Sequence, residues 1–410
     1  MAVYLYALTS SGGVPLYSRT LGDGKPLPYP VVASLNGVHM YGKSGDVELL
    51  SAYSEQFNIC WKTFHDSITL ILAADKRLYN QRQIEDLLQT AFDGMVMLFG
   101  IDDLVSIKNV ERFKRDIRVS YALLDYILRL YSTNSYSDIT QCVDILASKS
   151  SDILQNTLNA FTDAASSLHG CLLINGRVMV ATPEWCSLSA KEQILLCHAV
   201  NSLYLAPAAR DVPIYLPNTS PNVAQRLVTF TLVDGVEVCL LCGQTPSLAQ
   251  LEKEVGRFWQ PFLDSLKSVQ NSVDRNLPKD INVDSNILGF VLMNNRTSKC
   301  LSCYPSEPDE YNSQLALSSN IESKRNLLKK FVLSVLEMYP SFSGLEVLDS
   351  GSKSKTTAME TYSCARLYKC YAVNQPPHNM FLLFSAKVPT YAMSTVSRKL
   401  LEVVLKDRII

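Results

Sequence analysis

The stretch Trp61-Lys-Thr-Phe-His-Asp-Ser-Ile-Thr-Leu-Ile-Leu-Ala-Ala74 decides how this chain is to be read. His65, Asp66 and Ser67 are the three residue types of a hydrolase triad, written side by side. A working triad sets its carboxylate on one imidazole nitrogen and its hydroxyl on the other, a geometry assembled from separate loops. Neighbours in an extended chain point to opposite faces, so Asp66 turns away from His65 and Ser67. No Gly-x-Ser-x-Gly elbow lies nearby. The alternative is a strand ending at Phe64, a turn at His65 and Asp66, and a strand from Ser67 to Ala74. That second strand is apolar on both faces, as the centre of a sheet requires. The first reading asks for an enzyme and the second for a β-sheet domain; the flanking sequence follows the second.

Working towards the N-terminus, residues 57–64 and 47–53 predict two strands beside the central one. Residues 29–41 have helical spacing, with Val31, Val32, Leu35, Val38 and His39 near one face, Pro30 in the first turn and Gly42 at the exit. Residues 2–10 and 15–21 predict a hairpin turning at Ser10-Ser-Gly-Gly13, because paired glycines supply the positive φ of a tight turn. Towards the C-terminus, residues 81–98 carry Ile84, Leu87, Leu88, Ala91 and Met95 at helical intervals. Residues 110–130 place Val110, Phe113, Ile117, Tyr121, Leu124 and Leu128 on one helical stripe. A connection rich in Ser and Asn follows, carrying Thr140-Gln-Cys-Val-Asp144.

The same order then returns twice. Residues 170–182 predict a hairpin at Asn175-Gly176. A helix at 189–205, strands at 213–216 and 227–242 hinged at Asp234-Gly235, and a closing helix at 248–266 follow. After Pro278 come a hairpin at 287–293 and 299–304 and a helix at 322–339. Strands near 344–349, 362–373 and 380–386 and a last helix at 393–405 complete the chain. Hairpin, helix, three strands and helix thus occur three times, with no repeat of individual letters. A five-stranded antiparallel sheet flanked by helices is the longin or roadblock plan. The expected fold is α/β (α+β), with three tandem longin-like domains at 1–135, 151–275 and 283–410 and a linker at 136–150.

Composition agrees with a folded, multi-domain chain. The 410 residues exceed one ordinary core, with 47% apolar and 19% charged. Lys+Arg 38 against Asp+Glu 39 gives no global electrostatic reason to expect nucleic acid as a partner. The N-terminus lacks a basic n-region, and no apolar run approaches the ~18 residues of a membrane span. Eleven cysteines in apolar contexts suit reduced, buried thiols, so a soluble, cytoplasmic protein is expected.

Other motifs carry little chemistry. Cys239-Leu-Leu-Cys242 and Cys300-Leu-Ser-Cys303 have zinc-like spacing, but the first lies inside an apolar strand, where positions three apart face opposite sides. Gly22-Asp-Gly-Lys25 lacks the rest of a phosphate loop, and Pro26 and Pro28 block a helix start behind it. The five histidines show no ligand spacing. No catalytic, cofactor or metal residues are assigned. Two surfaces remain. Lys108, Arg112, Lys114, Arg115 and Arg118 form a basic face for anionic lipid or an acidic partner, or a merely solvated helix side. The helix at 29–41 carries Asn36-Gly37 centrally, at a cost of about 1 kcal/mol against Ala. Such a glycine admits another backbone closely or marks a local kink.

Ser34-Leu-Asn-Gly-Val-His-Met40, Trp61 to Ile71, Asn109-Val-Glu-Arg112 and Thr140-Gln-Cys-Val-Asp144 together resemble the Fuzzy-type family of planar cell polarity effectors. Tyr215-Leu-Pro217 with Ser220-Pro221, and Cys239-Leu-Leu-Cys-Gly243, extend the likeness into the second repeat; it is loose in the third. The resemblance implies a non-enzymatic triple-longin subunit that pairs with Inturned and joins a Fritz-type WD-repeat protein at the ciliary basal body. It implies recruitment of intraflagellar transport proteins and work with a Rab-like small GTPase, including guanine-nucleotide exchange. The paired core is similar to endolysosomal triple-longin exchange factors. By that analogy Ser34, Leu35, Asn36, Gly37, Val38, His39 and Met40 lie at the partner or GTPase surface. The competing expectation is a trafficking adaptor or tether that binds phosphoinositide membranes or cargo without exchange activity.

Overall fold

The computed structural model of the chain describes residues 2–22, 24–76, 81–129, 135–202, 208–270, 275–278, 280–305, 321–342 and 359–406. The chain divides into two compact units. One holds residues 1–133, 195–228 and 241–244; the other holds 134–194, 229–240 and 245–410.

The first sheet is built from β1 (Ala2–Thr9), β2 (Pro15–Gly22), β3 (Ser51–Tyr53), β4 (Phe57–Phe64) and β5 (Ile68–Asp75), in the order β2-β1-β5-β4-β3. Every pairing is antiparallel. β5 is buried along its whole length, as its unbroken apolar run requires. The turn before it has φ of 48° at His65 and 52° at Asp66, and Phe64 pairs with Ile68 across it. Two consecutive left-handed residues match the twist of a tight hairpin, and a short polar Asp tolerates that region.

Helix α1 (Tyr29–Ser44) covers one face of this sheet, where Tyr4, Tyr6, Leu8, Trp61 and Ile71 meet Val32 and Leu35. Helix α2 (Gln81–Phe99) packs on β4 and β5, followed by α3 (Ile101–Val105), α4 (Val110–Asp116) and α5 (Tyr121–Arg129), the last packed on β2 and α2. Two expectations need correction. The strand expected from residue 47 begins only at Ser51, because the Val47 amide donates to the Gly42 carbonyl and closes α1 instead of joining a ladder. The helix expected over 110–130 is broken by a 3₁₀ turn at residues 117–120. Side chains three apart eclipse in that tighter turn, which buries Ile117 and Ser120 together; Ser120 Oγ donates to the Ile117 carbonyl at 2.6 Å.

The second repeat opens with α6 (Ser137–Thr140), β6 (Val143–Asp144) and α7 (Ser151–Ala164). Helix α7 was not expected, although Leu154, Leu158 and Phe161 form its buried stripe. Then come β7 (His169–Ile174), β8 (Arg177–Ala181), α8 (Pro183–Ser187), α9 (Ala190–Ser202), β9 (Ala209–Leu216), β10 (Ser220–Val233) and β11 (Val236–Cys242). Two helices, α10 (Leu248–Trp259) and α11 (Leu263–Gln270), close the repeat. The sheet order is β8-β7-β11-β10-β9. Within the first unit β9 packs on α2, and Tyr215 lies so close to Gly100 that a Cβ there would stand 3.0 Å from the ring.

The third repeat comprises β12 (Ile287–Asn294), β13 (Lys299–Cys303), α12 (Ile321–Met338), β14 (Glu360–Cys364), β15 (Tyr368–Gln375), β16 (His378–Ser385) and α13 (Thr390–Lys406). The strand expected over 362–373 is two strands with a turn between them, and the one expected at 344–349 lies outside the described residues. The sheet runs β14-β15-β16-β12-β13-β6. Without β6, all three sheets share one order: hairpin partner, first strand, last strand, then the middle two reversed. That shared order makes three longin domains of three letter patterns that do not repeat.

Candidate partner-binding surfaces

The inner face of α1 is tied down by side chains from β4 and the turn after it. Trp61 Nε1 donates to the Leu35 carbonyl at 3.2 Å. His39 Nε2 lies 3.3 Å from Thr63 Oγ1, which is 3.1 Å from Thr69 Oγ1. Lys43 Nζ reaches Asp66 at 3.0 Å. Of the seven residues proposed for a partner surface, His39 is therefore buried, and Leu35 and Asn36 are half-buried. Ser34, Gly37, Val38 and Met40 face outwards, and a Cβ built on Gly37 meets no atom within 4 Å.

This outer face is apolar. Tyr29, Val31, Val38, Met40 and Tyr41 are exposed on it, Tyr41 by 80%. Val47, Leu50 and Tyr53 are exposed on the segment that leads from α1 into the edge strand β3. Only Val32 and His39 of the sixteen-residue helix are buried. A helix of a finished monomer ordinarily turns its apolar residues inwards, and a patch of this kind marks an interaction surface. Tyr41 ends the helix that the sequence offered as an interface, whereas Tyr29 and Tyr53 were not named there; the surplus of aromatic residues over the inward stripe was the available signal.

The second candidate surface is less basic than its letters suggest. Arg112 pairs with Asp116 at 3.5 Å, and Lys114 pairs with Glu111 at 2.8 Å. Lys108, Arg115 and Arg118 are exposed and have no ion pair among the described residues. Asn109 caps α4 by accepting from the Arg112 amide at 2.9 Å, so Asn109-Val-Glu-Arg112 is a helix start.

The triad letters are each engaged elsewhere. His65 lies against Phe92, 5.8 Å between ring centres; Asp66 pairs with Lys43; Ser67 Oγ donates to the Leu104 carbonyl at 2.7 Å. Cys239, Cys242, Cys300 and Cys303 are buried thiols that form no disulfide among the described residues. Burial pushes Cys303 up to about 12, which leaves it protonated and a poor ligand. Among the described residues no three His, Cys, Asp or Glu side chains stand together as a metal site, and no helix is long and apolar enough to cross a membrane.

One cluster of charge went unread. In the second unit the Asp144 carboxylate is buried and accepts from Ser135 Oγ at 2.7 Å and the Tyr136 amide at 3.0 Å. Tyr136 and Tyr304 join hydroxyl to hydroxyl, Arg325 lies over the Tyr304 ring, and Lys329 lies 5.7 Å above the Tyr136 ring. Burial raises the Asp144 pKa and lowers that of Lys329 to about 8. These residues come from the connecting segment, the residue that follows β13 and helix α12, so no local motif announces them.

Comparison with known proteins agrees with this architecture. Three family models match in order: the first longin domain of FUZ, MON1 and HPS1 over residues 3–127, the second over 165–260 and the third over 286–408. The protein fuzzy homolog of Xenopus tropicalis is 40% identical over 99% of this chain and 98% of its own length. That of Mus musculus is 36% identical over 98% and 96%, and that of Homo sapiens is 40% identical over 80% and 78%.

Proposed function

Since this chain belongs to the Fuzzy family of triple-longin planar cell polarity proteins, we propose that it is a non-catalytic subunit whose α1 face seats a partner longin of the Inturned type. The exposed apolar surface of Val38, Met40, Tyr41, Val47, Leu50 and Tyr53 carries this reading. An apolar surface of this kind suits the face of a second domain that would cover it. The pair regulates a Rab-like small GTPase by promoting nucleotide release. With a Fritz-type WD-repeat protein it recruits intraflagellar transport proteins at the basal body, which places the chain in the cytoplasm. Gly37 supports the same surface, because its missing side chain lets a partner backbone come close.

The test replaces Val38 and Tyr41 by Asp, both on the outer side of α1, and measures binding to an Inturned partner and GTPase nucleotide release. Loss of both with unchanged circular dichroism is expected. Full binding by the double variant would remove α1 from the interface, and absent acceleration by the wild-type pair would end the exchange reading. A second reading, a tether on phosphoinositide membranes, is favoured by the exposed Lys108, Arg115 and Arg118, which have no ion pair among the described residues, and needs no exchange activity.

A further inference from the structure

Residues 142–146 are buried without interruption, an unusual state for a connection between domains. The reason is that the connection is itself a strand. On one side it runs parallel to β13: the Val143 amide donates to the Ser298 carbonyl at 2.7 Å and the Ile145 amide to the Cys300 carbonyl at 2.9 Å. On its other side Ile145 bridges Val178 of β8, and the Leu146 amide donates to the Val178 carbonyl at 3.0 Å. Ala147 continues the line by donating to the Asn276 carbonyl at 3.1 Å, while Asn276 Nδ2 donates to the Ser302 carbonyl at 2.7 Å. One five-residue stretch thereby pairs with the outer edge of the third sheet and bridges the outer edge of the second at Val178.

We propose that residues 143–147, latched by the segment 135–142 before them, are a shared edge strand that makes the second and third longin domains one cooperative folding unit, in which the β8 and β13 edges open together or not at all. Two observations beyond the pairing support it. Asp144 bends the preceding loop onto the strand through Ser135 Oγ and the Tyr136 amide, so the segment is latched by a buried carboxylate as well as by its backbone. Tyr136 and Cys142 sit in the core of the third domain with Val291, Phe381 and Leu328, so leaving the sheet would also empty core positions. Unpaired edges are costly and prone to association, which gives the fold a reason to close both with one strand.

Residue-resolved hydrogen exchange on the full chain tests this. The amides of Val143, Ile145 and Leu146 are expected to open with the same free energy as those of β8 and β13, matching them to within about an order of magnitude in rate. Exchange of the segment hundreds of times faster than both neighbours would overturn the proposal. Ile145→Pro removes the donor to Cys300 and is expected to speed exchange in β8 and β13 together while leaving β1 and β5 unchanged. An effect confined to residues 142–147, or to one of the two sheets, would equally overturn it. If that variant does not fold, the wild-type rates decide alone.

Discussion

Lys329 is buried on α12 with its ammonium over the Tyr136 ring, facing the carboxylates of Asp144 and Asp138 and the guanidinium groups of Arg325 and Arg177. Burial outweighs the two carboxylates, and its pKa falls from 10.5 to about 8. The sign of the consequence is fixed by linkage. Between about pH 8 and 10.5 the unfolded chain binds this proton and the folded chain does not, so this residue raises stability as pH rises through that window. The buried thiols act in the opposite sense, since burial raises Cys142 and Cys370 to about 12 and folding then resists their ionisation. Wild type must therefore be compared with Lys329→Met, which leaves the thiols alone. The expected result is that the variant gains stability over wild type at about pH 7 and loses most of that advantage at about pH 9.5, read from urea midpoints. A constant difference across pH would show that Lys329 is not held in the cluster. His65, Asp66 and Ser67 carry the matching lesson about letters. Their adjacency advertised chemistry, but two left-handed φ values and three separate partners make them a turn.

Two helical glycines make opposite demands on their elements. A Cβ on Gly94 of α2 would stand 3.1 Å from Ile127 Cδ1 and 3.5 Å from Leu123 on α5, whereas one on Gly37 of α1 enters open space. Gly94→Val is expected to push α2 off α5 and cost about 1–3 kcal/mol. Gly37→Ala is expected to stabilise the chain by about 0.5–1 kcal/mol while weakening partner binding. Equal and small effects on stability would mean that α2 and α5 do not pack this closely. On the α4 segment, Arg115→Glu with Arg118→Glu is expected to abolish binding to anionic vesicles, and Arg112→Glu to change it less, because Arg112 already pairs with Asp116. Equal loss from all three would mean that the ion pair opens at the membrane. Most elements were legible because their periodicity is local: β4 runs over the residues expected, and α2 is one residue longer. The 3₁₀ break in the 110–130 stripe and the β6 strand were not. Both are decided by what lies across from them in space, Ile117 and Ser120 in one core and the free edges of β8 and β13 in the other.

At the scale of the molecule, three sheets of one topology bury their apolar residues unequally. β1, β5 and β11 vanish into cores, while α1 keeps Tyr29, Val31, Val38 and Tyr41 in solvent and β14 leaves Tyr362 exposed. The tandem architecture could be inferred from the order of hairpin, helix, strands and helix, since each repeat must close its own sheet. The exposed apolar face could only be suspected, because an outward Val and an inward Val have the same letter and differ in what covers them. Its exposure has a consequence for the isolated chain. Apolar faces that a partner normally covers associate with one another, so the purified chain alone is expected to form concentration-dependent oligomers and to precipitate on warming. Coexpression with an Inturned partner is expected to yield a monodisperse complex. Replacing Val38, Tyr41 and Tyr53 by Glu is expected to render the chain alone monomeric in sedimentation velocity. A wild-type chain that sediments as a stable monomer at high concentration would mean that this face tolerates water and does not require a partner. If the triple variant still oligomerises, the sticky surface lies elsewhere, and β14, the end strand of its sheet among the described residues, becomes the element to mutate next.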